Sequence, residues 1–218
     1  MKSAVSLRFG ALVGVAALAF APWACAPRGA IAPVSPAPAA SSAPAPAAST
    51  LVESNGPPQE PDVVFWPTPP EVIRKMIEVA DVKSTDVVYD LGSGDGRIVI
   101  ATAKQRGARG YGFEIDSKLV EESREHAREA GVDPLVTFIR RDIFTVDVSA
   151  ATVVMLYLLP GMLRRLEPQL KALKPGTRVV SHNFPMHGVE PDQVFNADLP
   201  GSAHTVLLWV APLKFPAR

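Results

Sequence analysis

The sequence has little of the chemistry on which several common kinds of site depend. Its single cysteine, Cys25, excludes an internal disulfide and a zinc site built from cysteines, because both need more than one thiol. The four histidines show no paired spacing such as His-Glu-x-x-His, so we predict no metal site and expect ordinary surface or loop residues. They are His126, His182, His187 and His204.

The chain also lacks an excess of charge of either sign. It has 22 lysines and arginines against 22 aspartates and glutamates, which gives a formal net charge of zero at pH 7. Proteins that bind DNA or RNA carry a basic face that neutralises phosphates. Since no basic excess is present, we predict that the protein has no nucleic-acid partner.

Residues 1–26 have the pattern of a secretory signal peptide. Lys2 and Arg8 precede an uncharged apolar run from Phe9 to Phe20, which is shorter than a membrane span requires. The alternatives are an uncleaved membrane anchor and a lipid anchor, because Cys25 after Ala24 resembles a bacterial lipoprotein acceptor. We therefore expect an exported or membrane-associated protein, periplasmic or lipoprotein, or a cytoplasmic one if the leader is misassigned.

Alanine and proline dominate the stretch that follows. Residues 27–56 have too little apolar bulk to fold and too much proline for a helix, so we predict a disordered linker. The remainder, residues 57–218, is long enough to bury a hydrophobic core as one domain. We expect this domain to be a monomer, with a membrane tether through the N-terminus.

Strand-like apolar runs alternate with segments of helical periodicity along this domain. The predicted helices cover residues 71–80, 97–105, 116–130 and 162–173. The predicted strands cover residues 86–91, 110–115, 135–139, 151–159, 177–182, 193–196 and 204–210. Such alternation predicts an α/β fold with a doubly wound, mostly parallel sheet. A short turn joins the last two strands, which predicts a closing antiparallel hairpin at the C-terminus.

A glycine-rich loop follows the first predicted strand, within YDLGSGDGRI from Tyr89 to Ile98. Gly92, Gly94 and Gly96 allow a close approach of the backbone to a ligand. A dinucleotide-binding fold needs Gly-x-Gly-x-x-Gly, but here the third glycine comes one residue early. Asp95 would repel a pyrophosphate at the helix N-terminus. The loop therefore suits a ligand that is not an anion at this point.

Acidic residues lie at the ends of the first three predicted strands. Glu114 ends the second strand, where an acid accepts hydrogen bonds from ribose hydroxyls and repels a 2′-phosphate, which excludes NADP. Asp142 follows the third strand, in a position to meet an adenine amino group, and Asp90 ends the first strand. A ribose, an adenine and a cationic group together describe S-adenosylmethionine, whose positive charges tolerate Asp90 and Asp95 nearby.

These motifs resemble those of the class I, seven-strand S-adenosylmethionine-dependent methyltransferases. The resemblance rests on Val87–Arg97, Gly112–Asp116 and Arg141–Phe144 and covers about Val64 to Val210. The segments FWPTPPEVIRKMIEVA, YDLGSGDGRI and SHNFPM are similar to small bacterial methyltransferases and to mitochondrial protein-lysine methyltransferases that modify an ATP synthase subunit. This resemblance implies a Rossmann-like methyltransferase sheet with S-adenosylmethionine as the cofactor.

The same resemblance implies a role for each cofactor-binding residue. Thr68 would border the methionine end of the cofactor, and Asp90 with the glycine loop would surround its amino acid part. Glu114 and Ile115 would hold the ribose, while the residues after the third strand would hold the adenine. The implied set is Thr68, Asp90, Gly92, Gly94, Asp95, Gly96, Glu114, Ile115, Asp142 and Ile143.

The residues after the fourth predicted strand bear on the methyl acceptor. Many amino-group methyltransferases have Asn/Asp-Pro-Pro-Tyr there, but this chain has LYLLP over Leu156–Pro160. That departure argues against a DNA base or a glutamine and leaves the substrate open. A lysine amine must arrive deprotonated, so an apolar channel is favoured. We predict that Tyr157 is the candidate catalytic residue and that the channel is lined by Phe65, Trp66, Tyr157 and Phe184.

Three functions compete on these observations. The first is methyl transfer to an amine, on a protein lysine or a small molecule. The second is a non-catalytic module that binds S-adenosylmethionine or another adenosyl ligand, because a cofactor made in the cytoplasm should be scarce outside the cell. The third, a nicotinamide-dependent oxidoreductase, is disfavoured by the early third glycine and by Asp95.

Overall fold

The computed structural model describes Pro46, residues 48–54, Gly56 and residues 65–216. The predicted signal peptide or anchor over residues 1–26 lies outside these residues, as does most of the predicted linker over 27–56. Within the described part of the chain, every helix is too short or too polar to cross a bilayer.

Seven strands and five helices form between residues 65 and 216. The strands are β1 (Val87–Leu91), β2 (Arg109–Glu114), β3 (Val136–Arg140), β4 (Val153–Leu156), β5 (Arg178–His182), β6 (Gln193–Asn196) and β7 (Thr205–Val210). The helices are α1 (Pro70–Val79), α2 (Arg97–Arg106), α3 (Ser117–Glu129), α4 (Pro160–Arg165) and α5 (Glu167–Lys171). Each predicted strand is therefore present, although several differ in length from the prediction.

The strands form one sheet in the order β3-β2-β1-β4-β5-β7-β6. Strands β1 to β5 run parallel, whereas β7 pairs antiparallel with both β5 and β6. This topology confirms the predicted doubly wound, mostly parallel sheet and its closing hairpin. The order of connection reverses between β1 and β4, and a ligand crevice forms at such a point, outside the carboxyl ends of the strands.

Both faces of the sheet are covered, which explains why its central strands are apolar throughout. On one face, α1 packs against Val88, Met155 and Val180. Alternate side chains point to the other face, where Tyr89 and Trp209 pack with residues of α4 and α5. A third cluster joins α2 and α3 to β3. The acids and aromatics at the ends of the strands are thus held by a rigid core.

Two predicted elements differ from those observed. The fourth strand was expected over 151–159 but covers only Val153–Leu156, because the chain leaves the sheet at Tyr157 and Pro160 begins α4. The single helix expected over 162–173 is instead the two short helices α4 and α5. Pro168 explains the break, since proline has no N–H to donate and its ring clashes with the preceding turn.

The carboxyl end of the predicted linker contacts the domain beside β3. Ala48–Leu51 forms a 3-10 turn, and the Ser54 N–H donates to the Arg140 carbonyl at 2.9 Å. The Arg140 guanidinium donates to the carbonyls of Ser54 and Gly56, and that of Arg141 to those of Ser49 and Val52. Composition could not indicate this contact, because the acceptors are backbone carbonyls that every sequence has.

Replacing both Arg140 and Arg141 by alanine should release this segment. Four carbonyls of residues 49–56 would lose their donors, so the segment should open more often and thermolysin should cut it several-fold faster. Limited proteolysis followed by mass spectrometry measures the cleavage rate at each bond. Arg74→Ala is the matched control, because Arg74 is exposed and pairs with Glu71 on its own helix. Equal cleavage rates in all three proteins would contradict the role assigned to the two arginines.

Candidate active site

The glycine loop connects β1 to α2 at the carboxyl edge of the sheet. Gly94 and Gly96 have φ angles of 53° and 81°, in the left-handed region that favours glycine. A Cβ atom on Gly94 would lie 2.2 Å from the Phe65 ring, which rests directly on the loop. The Phe65 ring therefore approaches the backbone at Gly94 closely, which the missing side chain of glycine permits.

Asp90 lies at the end of β1 with 1% of its surface exposed. Among the residues that the structure describes, none donates a hydrogen bond to its Oδ2 atom. Burial, followed by the charges of Glu114 and Asp95, raises the pKa of Asp90 to about 8. An ionised carboxylate without a partner is costly in a buried place, and a ligand cation beside it would remove that cost. The site is thus arranged to receive positive charge.

The negative charge of Asp95 is paired with the positive charge of Arg97, two residues further along the chain. The Arg97 side chain donates to both oxygens of Asp95, and its shortest contacts run from Nε to Oδ1 at 2.9 Å and from a terminal nitrogen to Oδ2 at 2.6 Å. The predicted repulsion of a pyrophosphate by Asp95 is therefore weakened by a paired cation. The group that disfavours an anion at this edge is then the buried Asp90, whose ionisation a nearby anion would oppose and a nearby cation would favour.

Glu114 is buried at the end of β2, where its carboxylate faces the backbone of the loop. Its Oε2 atom accepts from the Gly94 N–H at 2.9 Å, and its Oε1 atom accepts from the Ile115 and Asp116 N–H groups at 2.7 and 3.0 Å. These contacts fix the carboxylate between β2 and the glycine loop. Carboxylate oxygens have two lone pairs each, so Oε2 retains capacity for a ligand hydroxyl.

Asp142 and Ile143 lie just beyond β3, one strand further along the same edge. The Asp142 side chain accepts from the Phe144 N–H at 3.0 Å and so caps a 3-10 turn over Ile143–Thr145. Ile143 is buried, and Asp142 is half-buried. Since Glu114 pairs with Arg140 in the sheet, the two acids follow adjacent strands. The structure therefore brings Asp90, Glu114 and Asp142 to one edge, in the predicted order.

Two of the four predicted channel aromatics meet beyond β4 and β5. The rings of Tyr157 and Phe184 are stacked with centroids 6.2 Å apart, and the ring of His182 lies 4.0 Å from that of Tyr157. We call Tyr157, His182 and Phe184 the aromatic cluster. Phe65 lies instead on the glycine loop, and Trp66 is 73% exposed, so neither joins this cluster.

His182 was not predicted as a site residue, and the expectation of an ordinary surface or loop histidine was wrong. It is the last residue of β5 and has no exposed surface. Its Nδ1 atom lies 3.3 Å from the Thr68 hydroxyl, and its Nε2 atom lies 2.9 Å from His204 Nδ1. The signal was available, because the end of β5 is at the same sheet edge as the ends of the first three strands.

The donor set suits the cofactor that the sequence predicted. S-adenosylmethionine has a sulfonium and an ammonium, and Asp90 provides a buried carboxylate oxygen without a partner in the described chain. The Ser93 hydroxyl is likewise buried without a hydrogen-bond partner among these residues. Groups of three or more metal-ligating side chains are not found in the described residues. The buried oxygen of Asp90 therefore fits an organic cation such as this cofactor.

Comparisons with known proteins agree with this arrangement. The family described as the ANTKMT methyltransferase domain matches residues 90–193. A protein-lysine N-methyltransferase of Saccharolobus islandicus is 42% identical over 152 residues, which are 69% of this chain and 94% of that protein. The mouse adenine nucleotide translocase lysine N-methyltransferase is 40% identical, over 58% of this chain and 59% of its own length.

A solved structure adds evidence on the cofactor. The Salinibacter ruber protein described as an RNA methyltransferase in complex with S-adenosyl-L-homocysteine is 51% identical, with a TM-score of 0.65. The alignment covers 70% of this chain and 98% of that one. The chain therefore belongs to the class I S-adenosylmethionine-dependent methyltransferases, in the family of the lysine methyltransferases that it matches.

Proposed function

We propose that this methyltransferase acts on the side-chain amine of a protein lysine. The observation that carries the proposal is the aromatic cluster of Tyr157, His182 and Phe184 at the carboxyl ends of β4 and β5. Leu156 pairs with Leu91 on one side and with Ser181 on the other, so Tyr157 and His182 follow neighbouring positions beside the end of β1. An acceptor placed there would lie close to the cofactor edge.

The methyl donor would be held by the residues at that edge. Asp90 would accept from its ammonium, Glu114 would hold the ribose together with Ile115, and Asp142 with Ile143 would hold the adenine. The glycines of the loop and Thr68 would border the methionine part of the cofactor. The proposed set is Thr68, Asp90, Gly92, Gly94, Asp95, Gly96, Glu114, Ile115, Asp142 and Ile143. When bound, S-adenosylmethionine supplies a methyl group on a positively charged sulfur.

The aromatic cluster suits an amine acceptor for an electrostatic reason. An alkylammonium has no lone pair, so it must lose a proton before it can accept a methyl group, and poor solvation favours that loss. The cluster offers rings and no carboxylate, and Tyr157 could bind the cationic form through its π face before the proton leaves. Positioning of the acceptor in line with the methyl group contributes up to about 7–11 kcal/mol in favourable systems.

The names of the relatives support lysine over other amines. Both the archaeal and the mouse proteins are named as lysine methyltransferases, whereas the Salinibacter structure is described as an RNA methyltransferase. The balanced charge of this chain favours the first class, because RNA binding draws on a basic surface. A small-molecule amine remains the alternative acceptor. One labelling assay separates protein lysine, RNA and small-molecule acceptors.

The test is transfer of labelled methyl groups from S-adenosylmethionine into fractionated protein, RNA and small-molecule pools, followed by mass mapping of the labelled species. We expect label in protein, stable to nuclease and located on lysine. Label that nuclease releases, or label found only in small molecules, would contradict the proposal. A protein that binds the cofactor tightly but labels no pool would favour the non-catalytic module.

Removing the ring of Tyr157 should separate catalysis from cofactor binding. Tyr157→Ala opens the aromatic cluster to water, so we expect kcat to fall about 10²-fold, the size of a lost positioning contribution. The affinity for S-adenosylhomocysteine, measured by calorimetry, should change less than threefold. Val194→Ala is the control, because Val194 is an exposed residue of the edge strand β6. A Tyr157→Ala protein with the parent kcat would remove Tyr157 from the acceptor site.

We also propose that residues 1–26 direct the protein to the membrane or beyond it. The basic residues, the apolar run and Cys25 support this placement. Fractionation of cells that express the full chain, with a Cys25→Ser variant for comparison, tests it. Recovery of both proteins in the cytoplasm, with the first 26 residues intact, would contradict export and favour a misassigned start.

A further inference from the structure

A continuous hydrogen-bonded chain leads away from the aromatic cluster. The Thr68 hydroxyl lies 3.3 Å from His182 Nδ1, and His182 Nε2 lies 2.9 Å from His204 Nδ1. His204 Nε2 in turn lies 3.0 Å from the Ser202 hydroxyl. These four residues come from the segment before α1, the end of β5 and the turn before β7. No part of the methyl-transfer geometry described above accounts for this arrangement.

The hydrogen-bonded series of four residues runs from the interior of the protein to its surface. Thr68 is 3% exposed, His182 is fully buried, His204 is half-buried and Ser202 is exposed. The inner end lies at the cofactor edge, because Arg97, which pairs with Asp95 of the glycine loop, also donates to the Thr68 carbonyl at 3.3 Å. The ring of Tyr157 covers His182 at the same point. One end is therefore beside the proposed acceptor, and the other is in solvent.

Every member of this chain can both donate and accept a hydrogen bond. Serine and threonine hydroxyls do so, and a neutral imidazole donates from one ring nitrogen and accepts at the other. A chain of such groups carries one hydrogen in each link, and all of the hydrogens can shift by one link in the same direction. Such a shift moves a proton from the inner end to the outer end without leaving a charged group buried.

The methyl transfer that we propose releases one proton for each turnover. The acceptor begins as an alkylammonium and ends as an N-methylammonium of the same charge, while the donor loses its positive charge. The proton that leaves the nitrogen must therefore reach solvent. Asp90 is an unsuitable acceptor for it, because its proposed role is to hold the cofactor's ammonium.

We propose that Thr68, His182, His204 and Ser202 form a proton relay that carries this proton from the acceptor amine to solvent. The inference rests on the proposed amine substrate and assigns a role to His182 and His204 that neither the family match nor the names of the relatives give. His182 and His204 are positioning and relay residues, since no contact with the reacting atoms is assigned to them.

The electrostatics of His182 agree with this role. The titratable groups that face it are Tyr157 from the segment after β4 and His204 from the segment before β7. Burial first, and His204 second, lower the pKa of His182 to about 4. His182 therefore stays neutral at physiological pH, with one nitrogen free to donate and the other free to accept. A permanently charged imidazolium would block the relay, because both of its nitrogens are donors.

The test is the pH dependence of methylation by the full-length protein and its His204→Ala variant. At neutral pH we expect the variant's kcat to fall about 100-fold, the lower end of the usual proton-transfer contribution. The loss should shrink as the pH rises, because more of the acceptor amine then arrives neutral. Added imidazole should restore part of the rate. His187→Ala is the control, since His187 is exposed and is not one of the four hydrogen-bonded residues of the relay.

Two further measurements keep the outcome decisive. The affinity for S-adenosylhomocysteine, measured by calorimetry, should be the same in the parent and in His204→Ala. Imidazole ¹⁵N spectra of the parent protein should show His182 neutral across the same pH range, and they require no turnover. Ser202→Ala, at the exposed end, offers a milder change with little effect on folding and should give a smaller loss of the same kind.

The possible results distinguish failure of the relay from failure of the proposed substrate. A pH-independent loss in His204→Ala without rescue by imidazole indicates a structural role and overturns the relay. An unchanged pH profile, or a His182 that is charged at neutral pH, overturns it as well. If the parent protein methylates RNA or no amine at all, the proposed substrate fails first, and the relay is overturned with it.

Discussion

Asp90→Asn will bind S-adenosylmethionine about 10- to 100-fold more weakly than the parent protein, which is the cost of losing a hydrogen bond to a charged group. In the absence of ligand, the same variant will be more stable than the parent at pH 8. The two effects are opposite because the Asp90 Oδ2 atom accepts no hydrogen bond from the described residues and is needed only when a cation is present. Calorimetric titration measures the first effect, and urea unfolding measures the second.

The sign of the stability effect follows from the pKa of Asp90. That pKa is raised from 3.8 to about 8, so the native protein keeps a proton that the unfolded chain releases. The free energy of unfolding of the parent therefore falls as the pH rises from about 4 to about 8. Asparagine cannot ionise, so the fall is removed, and the variant should be more stable than the parent at pH 8.

The control for Asp90→Asn is Asp133→Asn, since Asp133 is exposed in the turn between α3 and β3. It should change neither the cofactor affinity nor the pH dependence of unfolding. If Asp90→Asn bound the cofactor as tightly as the parent, Asp90 would not be the group that receives its positive charge. If Asp90→Asn were less stable than the parent at pH 8, the Asp90 carboxylate would have a stabilising partner in the ligand-free protein.

Gly96→Ala will destabilise the protein by roughly 2–5 kcal/mol, the sum of left-handed strain and overpacking of the core. Gly96 precedes α2 with a φ of 81°, and a Cβ there would lie 2.7 Å from both the Phe138 ring and Ser123. Both neighbours are buried, so neither can yield easily. Urea unfolding monitored by circular dichroism measures the loss of stability.

Gly131→Ala separates the two causes of that loss. Gly131 has a φ of 68°, and a Cβ there would have nothing within 4 Å, so only the strain of about 1–2 kcal/mol remains. Gly94→Ala should also cost less than Gly96→Ala, because the ring that it meets belongs to the exposed side chain of Phe65 and can move. Equal losses at Gly96 and Gly131 would show that the packing around Gly96 is not tight.

The sheet and its edge of acids could be predicted because each rests on local patterns. Apolar runs and helical periodicity identified all seven strands, and the position of Glu114 after a strand was enough to place it beside the glycine loop. The partner of Asp95 was missed even though Arg97 is only two residues away. Sequence spacing indicates which residues are near, but not which way a flexible arginine turns.

The parts that could not be predicted depend on contacts between distant segments. His182 and His204 are 22 residues apart, and their pairing follows from the antiparallel register of β5 and β7. The contact of Thr68 with His182 spans 114 positions. Likewise, Phe65 and Trp66 are adjacent in the chain but differ in surroundings, because only the ring of Phe65 turns onto the glycine loop. Register and side-chain direction are set by packing, which a single sequence does not show.

The central claim is that the buried carboxyl group of Asp90, whose Oδ2 atom has no partner among the described residues, selects a cationic adenosyl ligand. The most direct test is the number of protons released when S-adenosylmethionine binds at pH 7, measured by titration calorimetry in buffers of different ionisation enthalpy. We predict the release of about one proton per cofactor, because Asp90 must ionise to meet the cation, and almost none in Asp90→Asn. Binding without proton release in the parent, or tighter binding of a nicotinamide dinucleotide, would contradict the account.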